Sequence, residues 1–170
     1  MEGDSRLSLV ENATAARVAA LIDALAAAGE TVAVAESLTG GLVCSTLVNP
    51  AGASRVVVGG AVVYSTDVKA LVLGVDEELL AERGAVDAAV AVQMATRARS
   101  KFGSTIGIST TGVAGPDPQD GIAVGTVFVA VTSDRGDSVE EHHFEGTRDE
   151  IRWSTVDAAL TILENSLRTE

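Results

Sequence analysis

Apolar positions recur along the 170-residue chain in two rhythms, and the switches between them mark its elements. From Thr14 onward, Val18, Leu21, Ile22 and Leu25 fall on one helical stripe, and Gly29 supplies a stop. The run Thr31-Val32-Ala33-Val34-Ala35 predicts a short buried strand. Glu36-Ser37 follows it, and a helix is expected from near Thr39 to before Pro50. Residues 55–64, β-branched and apolar, predict a second strand. Short helices are expected from about residue 65 to Gly74 and over 76–82. Asp87 fits as the N-cap of a helix reaching Lys101 or Phe102, with Ala91, Met94, Ala95 and Ala98 facing inward. Residues 105–109 predict a third strand, and 110–118 a loop rich in Gly and Pro. Residues 124–132, a turn at Asp134-Arg135-Gly136-Asp137 and a strand ending near Phe144 predict an antiparallel hairpin. Thr147 or Arg148 opens a last helix, with Val156, Leu160, Leu163 and Leu167 at helical spacing.

Strands separated by helices, then a hairpin, then a helix predict a single α/β domain with a mixed sheet and helices on both faces. Residues 1–12 lie outside the pattern and are read as a flexible arm on a domain of residues 13–168. In such sheets ligands sit beyond strand ends, where loops and helix N-termini converge. Residues 36–41, 64–69 and 110–118 are the loops so placed.

Composition narrows the partners. Twelve Lys and Arg stand against 24 Asp and Glu, a formal charge of −12, which speaks against nucleic acid and anionic membrane as partners. Aromatic content of 3% leaves little for base stacking. A small anionic ligand needs only a local pocket and stays open. The single cysteine, Cys44, allows no intrachain disulfide, and the start Met1-Glu2-Gly3-Asp4-Ser5-Arg6 lacks the basic and apolar regions of a signal peptide. A cytoplasmic home is therefore expected.

Four segments could carry chemistry. In Glu36-Ser37-Leu38-Thr39-Gly40-Gly41, a serine at a strand-to-helix turn would be exposed beside free N–H groups that suit a phosphate or an oxyanion. Taken alone, Ser37 or Thr39 reads as readily as a helix cap. Around Tyr64-Ser65-Thr66-Asp67-Val68-Lys69, a lysine of lowered pKa could serve as base for a serine, with the tyrosine hydroxyl between them as relay. An ordinary surface lysine and a half-buried tyrosine are the bland alternative. Thr110-Thr111-Gly112-Val113-Ala114-Gly115-Pro116 suits a loop that wraps a ligand, or a plain turn. Arg148 and Arg152 share one face at a helix start, where cations run against the dipole, so each binds either an anionic ligand or a neighbouring acid. His142 and His143 are adjacent in a strand and cannot line one site, Cys44 reads as a structural thiol, and no spacing implies a metal.

Together these segments resemble the CinA C-terminal domain family, the nicotinamide mononucleotide deamidases. The matching stretches are Ala35-Glu36-Ser37-x-Thr39-Gly40-Gly41, Gly59-Gly60-x-Val62-x-Tyr64-Ser65-x-x-x-Lys69, Gly112-Val113-Ala114-Gly115-Pro116, Val124-Gly125-Thr126-Val127 and Arg148-Asp149-x-x-Arg152, in family order over residues 12–168. The resemblance implies a three-layer α/β/α sandwich that hydrolyses the carboxamide of nicotinamide mononucleotide to nicotinate mononucleotide and ammonia, without metal or other cofactor. It implies Ser37 as nucleophile and Tyr64 and Lys69 as its proton-handling partners. Glu36, Thr39, Gly40, Gly41, Thr111, Gly112, Ala114, Gly115, Arg148 and Arg152 become expected substrate contacts. It also implies a homo-oligomer, with a dimer favoured. Leu38, Asp87 and the segment 118–123 depart from the family pattern. A non-catalytic nucleotide-binding regulatory module, and a serine amidase for another small amide, are the alternatives.

Overall fold

The computed structural model describes residues 2–168, and the side chains of residues 14–168. Five strands form one mixed sheet in the order β2-β1-β3-β4-β5. β1 (Val32–Glu36) runs parallel to β2 (Val57–Val62) and to β3 (Ile106–Gly112), while β4 (Thr126–Ser133) and β5 (Gly136–His143) are antiparallel additions. Helices α1 (Glu2–Ala28), α2 (Leu42–Val48) and α6 (Arg148–Arg168) cover one face. On the other face lie α3 (Thr66–Val68, continuing as a wider turn through Leu73), α4 (Glu77–Arg83) and α5 (Ala88–Phe102). The expected three layers and the hairpin are therefore present.

The apolar stripes account for both cores. Val18, Leu21, Ile22 and Leu25 of α1 pack with Val156, Leu160 and Leu163 of α6 over Val32, Val34, Ile106 and Ile108. The alternate residues Ala33 and Ala35 meet Leu73, Val90, Met94 and Ala98 on the opposite face, as the two-residue period of a strand requires. All five residues of β1 are buried, which explains its uninterrupted apolar run up to Glu36. Gly107 lets α5 lie close on β3: a Cβ there would stand 2.0 Å from the Ala95 carbonyl oxygen.

Several boundaries differ from expectation. α1 begins at Glu2, well before Thr14, so the backbone of the segment read as an arm is helical. Helix growth is cooperative, and no Gly or Pro stands between Asp4 and Ala28 to stop it. The side chains of residues 2–13 lie outside the described residues. β2 is shorter than residues 55–64, because residues 53–55 form a single tight turn before it. β3 is longer than expected and takes Thr110, Thr111 and Gly112 into the sheet. That extension decides where the threonines point.

Candidate active site

Ser37 follows the last residue of β1, and its N–H donates to the Thr110 carbonyl at 3.0 Å, so the sheet pairing continues into the turn. Glu36 faces α2, and the alternation of the strand turns Ser37 to the α3 side. There it meets Lys69, a residue only 1% exposed. The Lys69 Nζ donates to Ser37 Oγ at 3.0 Å, to the Val63 carbonyl at 2.9 Å and to the Tyr64 carbonyl at 3.1 Å. Ser37 Oγ in turn lies 3.4 Å from the Tyr64 carbonyl.

This arrangement sets the proton chemistry. Burial penalises the charged amine, and the pKa of Lys69 is lowered from 10.5 to about 8. A neutral amine keeps two N–H donors and gains one lone pair. Three neighbours surround Nζ: two carbonyls, which can only accept, and one hydroxyl, which can donate. In the neutral form the two carbonyls take the two N–H groups, and the lone pair is left for the Ser37 hydroxyl proton. The serine hydroxyl is thus in direct contact with a group able to accept its proton.

Of the two routes open for the proton, direct or through the tyrosine hydroxyl, the Lys69–Ser37 contact matches the direct one. Tyr64 contributes its carbonyl to the pair, while the residue as a whole is 60% exposed and its hydroxyl accepts from Arg148 Nη2 at 3.1 Å. Arg148 also donates through Nη1 to the Gly115 carbonyl at 2.6 Å. Tyr64, Arg148 and Gly115 thus meet at one exposed place, which ties the second, third and fourth segments together.

Four further expected contacts are committed elsewhere. The Glu36 carboxylate is buried and accepts from the N–H groups of Gly41 and Val43, both at 3.0 Å, and of Cys44 at 2.8 Å. Glu36 therefore caps α2, and neither Ser37 nor Thr39 does. The cap also uses the helix-start donors expected to hold a phosphate. Thr39 is fully buried, with its hydroxyl 2.7 Å from that of Thr110. Thr111 is buried on the α5 side and donates to the Ala85 carbonyl at 2.6 Å. Arg152 donates from Nε to the Leu38 carbonyl at 3.0 Å and from Nη2 to the Thr39 carbonyl at 3.1 Å, with Asp149 at 3.4 Å from Nη1.

Gly40 and Gly41 shape the turn rather than offering a bare backbone to ligand. Both have positive φ (59° and 101°), which L side chains rarely adopt, and the Gly41 N–H is taken by Glu36. Gly112 closes β3 opposite Val127, Ala114 is buried, and Gly115 is half-buried beside Val124. Val63 had no side-chain signal to mark it, yet its carbonyl holds the lysine. Among the described residues, no group of three or more His, Cys, Asp or Glu could hold a metal ion. Nor, among the described residues, is any helix long and apolar enough to cross a membrane.

Comparison with known proteins bears on the family and the fold. The profile of the CinA C-terminal domain matches residues 14–167. A putative competence-damage inducible protein of Desulforamulus reducens is 46% identical over 141 residues, covering 83% of this chain and 34% of the relative. A CinA-like protein of Frankia casuarinae is 45% identical over 137 residues, covering 81% and 32%. The chain thus spans about a third of the length of these curated relatives. Among solved structures, the competence/damage inducible protein CihA of Agrobacterium tumefaciens is similar, with a TM-score of 0.86 and 34% identity over 92% of this chain and 96% of that one. A CinA superfamily protein of Klebsiella pneumoniae has a TM-score of 0.89 and 30% identity, covering 92% and 99%.

Proposed function

Since the chain belongs to the CinA C-terminal domain family, we propose that it is a serine amidohydrolase that converts nicotinamide mononucleotide to nicotinate mononucleotide and ammonia. The observation that carries the catalytic part is the 3.0 Å contact between buried Lys69 and Ser37 Oγ. The substrate follows from the family resemblance of the motifs. Neutral Lys69 takes the Ser37 proton as Oγ attacks the carboxamide carbon. The tetrahedral intermediate collapses as the resulting ammonium of Lys69 gives its proton to the departing nitrogen, and ammonia leaves. Water then attacks the ester on Ser37 with Lys69 again as base, which releases the carboxylic acid and restores the serine. At pH 7 a lysine of pKa about 8 is neutral in roughly a tenth of molecules, enough to act as base without prior activation.

Tyr64, Arg148 and Gly115 form the exposed rim. Arg148 is the cation best placed to meet the nucleotide phosphate, since Arg152 is committed to the backbone. No reaction step requires a metal or other cofactor. The family resemblance also supports a homo-oligomer, a dimer first, and a small nucleotide as the partner.

A substrate panel tests the reading. Ammonia release is measured with nicotinamide mononucleotide, nicotinamide riboside, nicotinamide and unrelated small amides. Turnover of the mononucleotide alone, with loss on removing the phosphate, is the expected result. Preference for an unrelated amide would contradict the substrate assignment. Tight nucleotide binding with no ammonia from any amide would replace the enzyme by a regulatory module.

A further inference from the structure

The turn that carries the nucleophile is held from both ends. Glu36 takes the N–H groups of Gly41, Val43 and Cys44, and Arg152 takes the carbonyls of Leu38 and Thr39. The Gly40 N–H closes back on the Ser37 carbonyl at 3.1 Å, and the Leu42 N–H on the Thr39 carbonyl at 3.2 Å. Among the described residues, the N–H groups of Leu38 and Thr39 are left without an acceptor. They are the first two donors after the nucleophile.

Peptide geometry says where they point. A trans peptide is planar, and its N–H is opposed to its C=O. The Leu38 carbonyl and the Thr39 N–H belong to one peptide unit. With Arg152 on the carbonyl, that N–H is turned away from α6. The Ser37 carbonyl and the Leu38 N–H form the unit before it, which the Gly40 bond orients. Ser37 Oγ lies on the side away from α6, against Lys69. The guanidinium also polarises the peptide it holds, which strengthens the Thr39 N–H as a donor.

We propose that Arg152 is a positioning residue of the amidase: its bond to the Leu38 carbonyl fixes the Thr39 N–H, and its bond to the Thr39 carbonyl fixes the Gly40 N–H that holds the Ser37 carbonyl and so the Leu38 N–H, which together aims both donors at the oxygen of the tetrahedral intermediate. The proposal rests on the serine mechanism above and names its oxyanion donors. It also explains a cation at the start of α6, where the helix dipole disfavours one. The cation serves the neighbouring turn, not its own helix. An oxyanion donor deleted outright typically lowers kcat by about 10²–10³. Loss of a residue that only aims such donors should cost less, about 10- to 100-fold.

The test compares wild type with Arg152→Lys and Arg152→Gln, each normalised to folded protein. Two readouts are taken: kcat and KM for nicotinamide mononucleotide against pH, and the rate at which a fluorophosphonate labels Ser37. Its phosphonyl oxygen needs the same donors. The expected result is a kcat and a labelling rate lowered together, by less in Arg152→Lys, with KM within about twofold and the pH midpoint unmoved. A merely structural arginine would change the folded fraction and leave the normalised rates alone. Should Arg152→Gln fail to fold, Arg152→Lys decides, because it keeps the charge and can reach one carbonyl. Normalised rates within about threefold of wild type in folded Arg152→Gln, or in Arg152→Lys where the Gln variant does not fold, would overturn the proposal. So would a rise in KM alone, which would place Arg152 on the bound substrate. Wild type that labels but releases no ammonia would contradict the substrate assignment, and the labelling ratios would then decide the role of Arg152. Wild type that does neither would remove the serine mechanism and the proposal together.

Discussion

Replacing Lys69 by Met probes the buried amine through stability as well as activity. The folded state holds Lys69 at a pKa of about 8, against 10.5 when exposed. The difference corresponds to ~3 kcal/mol, since each unit is about 1.4 kcal/mol. Below pH 8 the amine is charged in both states, and the folded protein bears the full cost of burying that charge. Between about 8 and 10.5 the unfolded chain binds more protons than the folded one, so stability rises with pH. Above 10.5 the amine is neutral in both states and the cost is gone. Met has no proton to exchange. Its introduction also strips the Val63 carbonyl of its donor, a penalty of about 1–3 kcal/mol that does not vary with pH. Net stability at one pH therefore mixes two opposed effects, whereas the pH dependence isolates one. The assay is urea unfolding followed by circular dichroism at several pH values. Wild-type stability minus that of Lys69→Met should rise by roughly 2.5 kcal/mol between pH 7 and pH 10. A flat difference, or one that falls with pH, would refute the lowered pKa and with it the neutral base.

The same pair predicts that kcat/KM rises with pH to a plateau, with a midpoint near 8 set by Lys69 in the free enzyme; a pH profile from 6 to 10 checks it. Tyr64→Phe should leave that midpoint in place, because the phenol touches Arg148 and not Ser37 or Lys69; a shifted midpoint would restore the relay. Glu36→Ala should cost ~3 kcal/mol or more in urea unfolding, since three N–H groups lose a charged acceptor. Gly107→Ala should lower stability by at least ~1–3 kcal/mol, because the new methyl would overlap the Ala95 carbonyl and force β3 and α5 apart; thermal unfolding reads this directly.

The layers were legible because burial writes itself into periodicity. The stripe of α1 and the unbroken run of β1 led directly to the two cores. The meeting of Ser37 and Lys69 was legible for a different reason: a serine paired with a base was the chemistry expected there, and the two segments follow neighbouring strands. The remaining contacts depended on which way a side chain faces, and that depends on where a strand stops. Thr110 and Thr111 read as loop donors, but three more residues of β3 pairing put them on opposite buried faces. Glu36 was expected to contact substrate, yet its acceptors are satisfied by amides five to eight residues ahead, which only the closed turn brings within reach. Arg152 was marked by its misfit with the helix dipole. What it serves, two carbonyls more than a hundred positions earlier, leaves no side-chain signature. Tyr64 meets Lys69 through its carbonyl, while its hydroxyl meets Arg148, and which atom faces the lysine is not written in the residue type.

The central claim is that Ser37 is the nucleophile of a deamidation, and the most direct measurement is a paired product assay. Wild type and Ser37→Ala are incubated with nicotinamide mononucleotide, and ammonia and nicotinate mononucleotide are quantified in the same samples, with and without chelator. The account predicts equal amounts of the two products from wild type, unchanged by chelator, and none from a folded Ser37→Ala. Undiminished product from Ser37→Ala, or a folded wild type that binds the nucleotide and releases neither product, would contradict it.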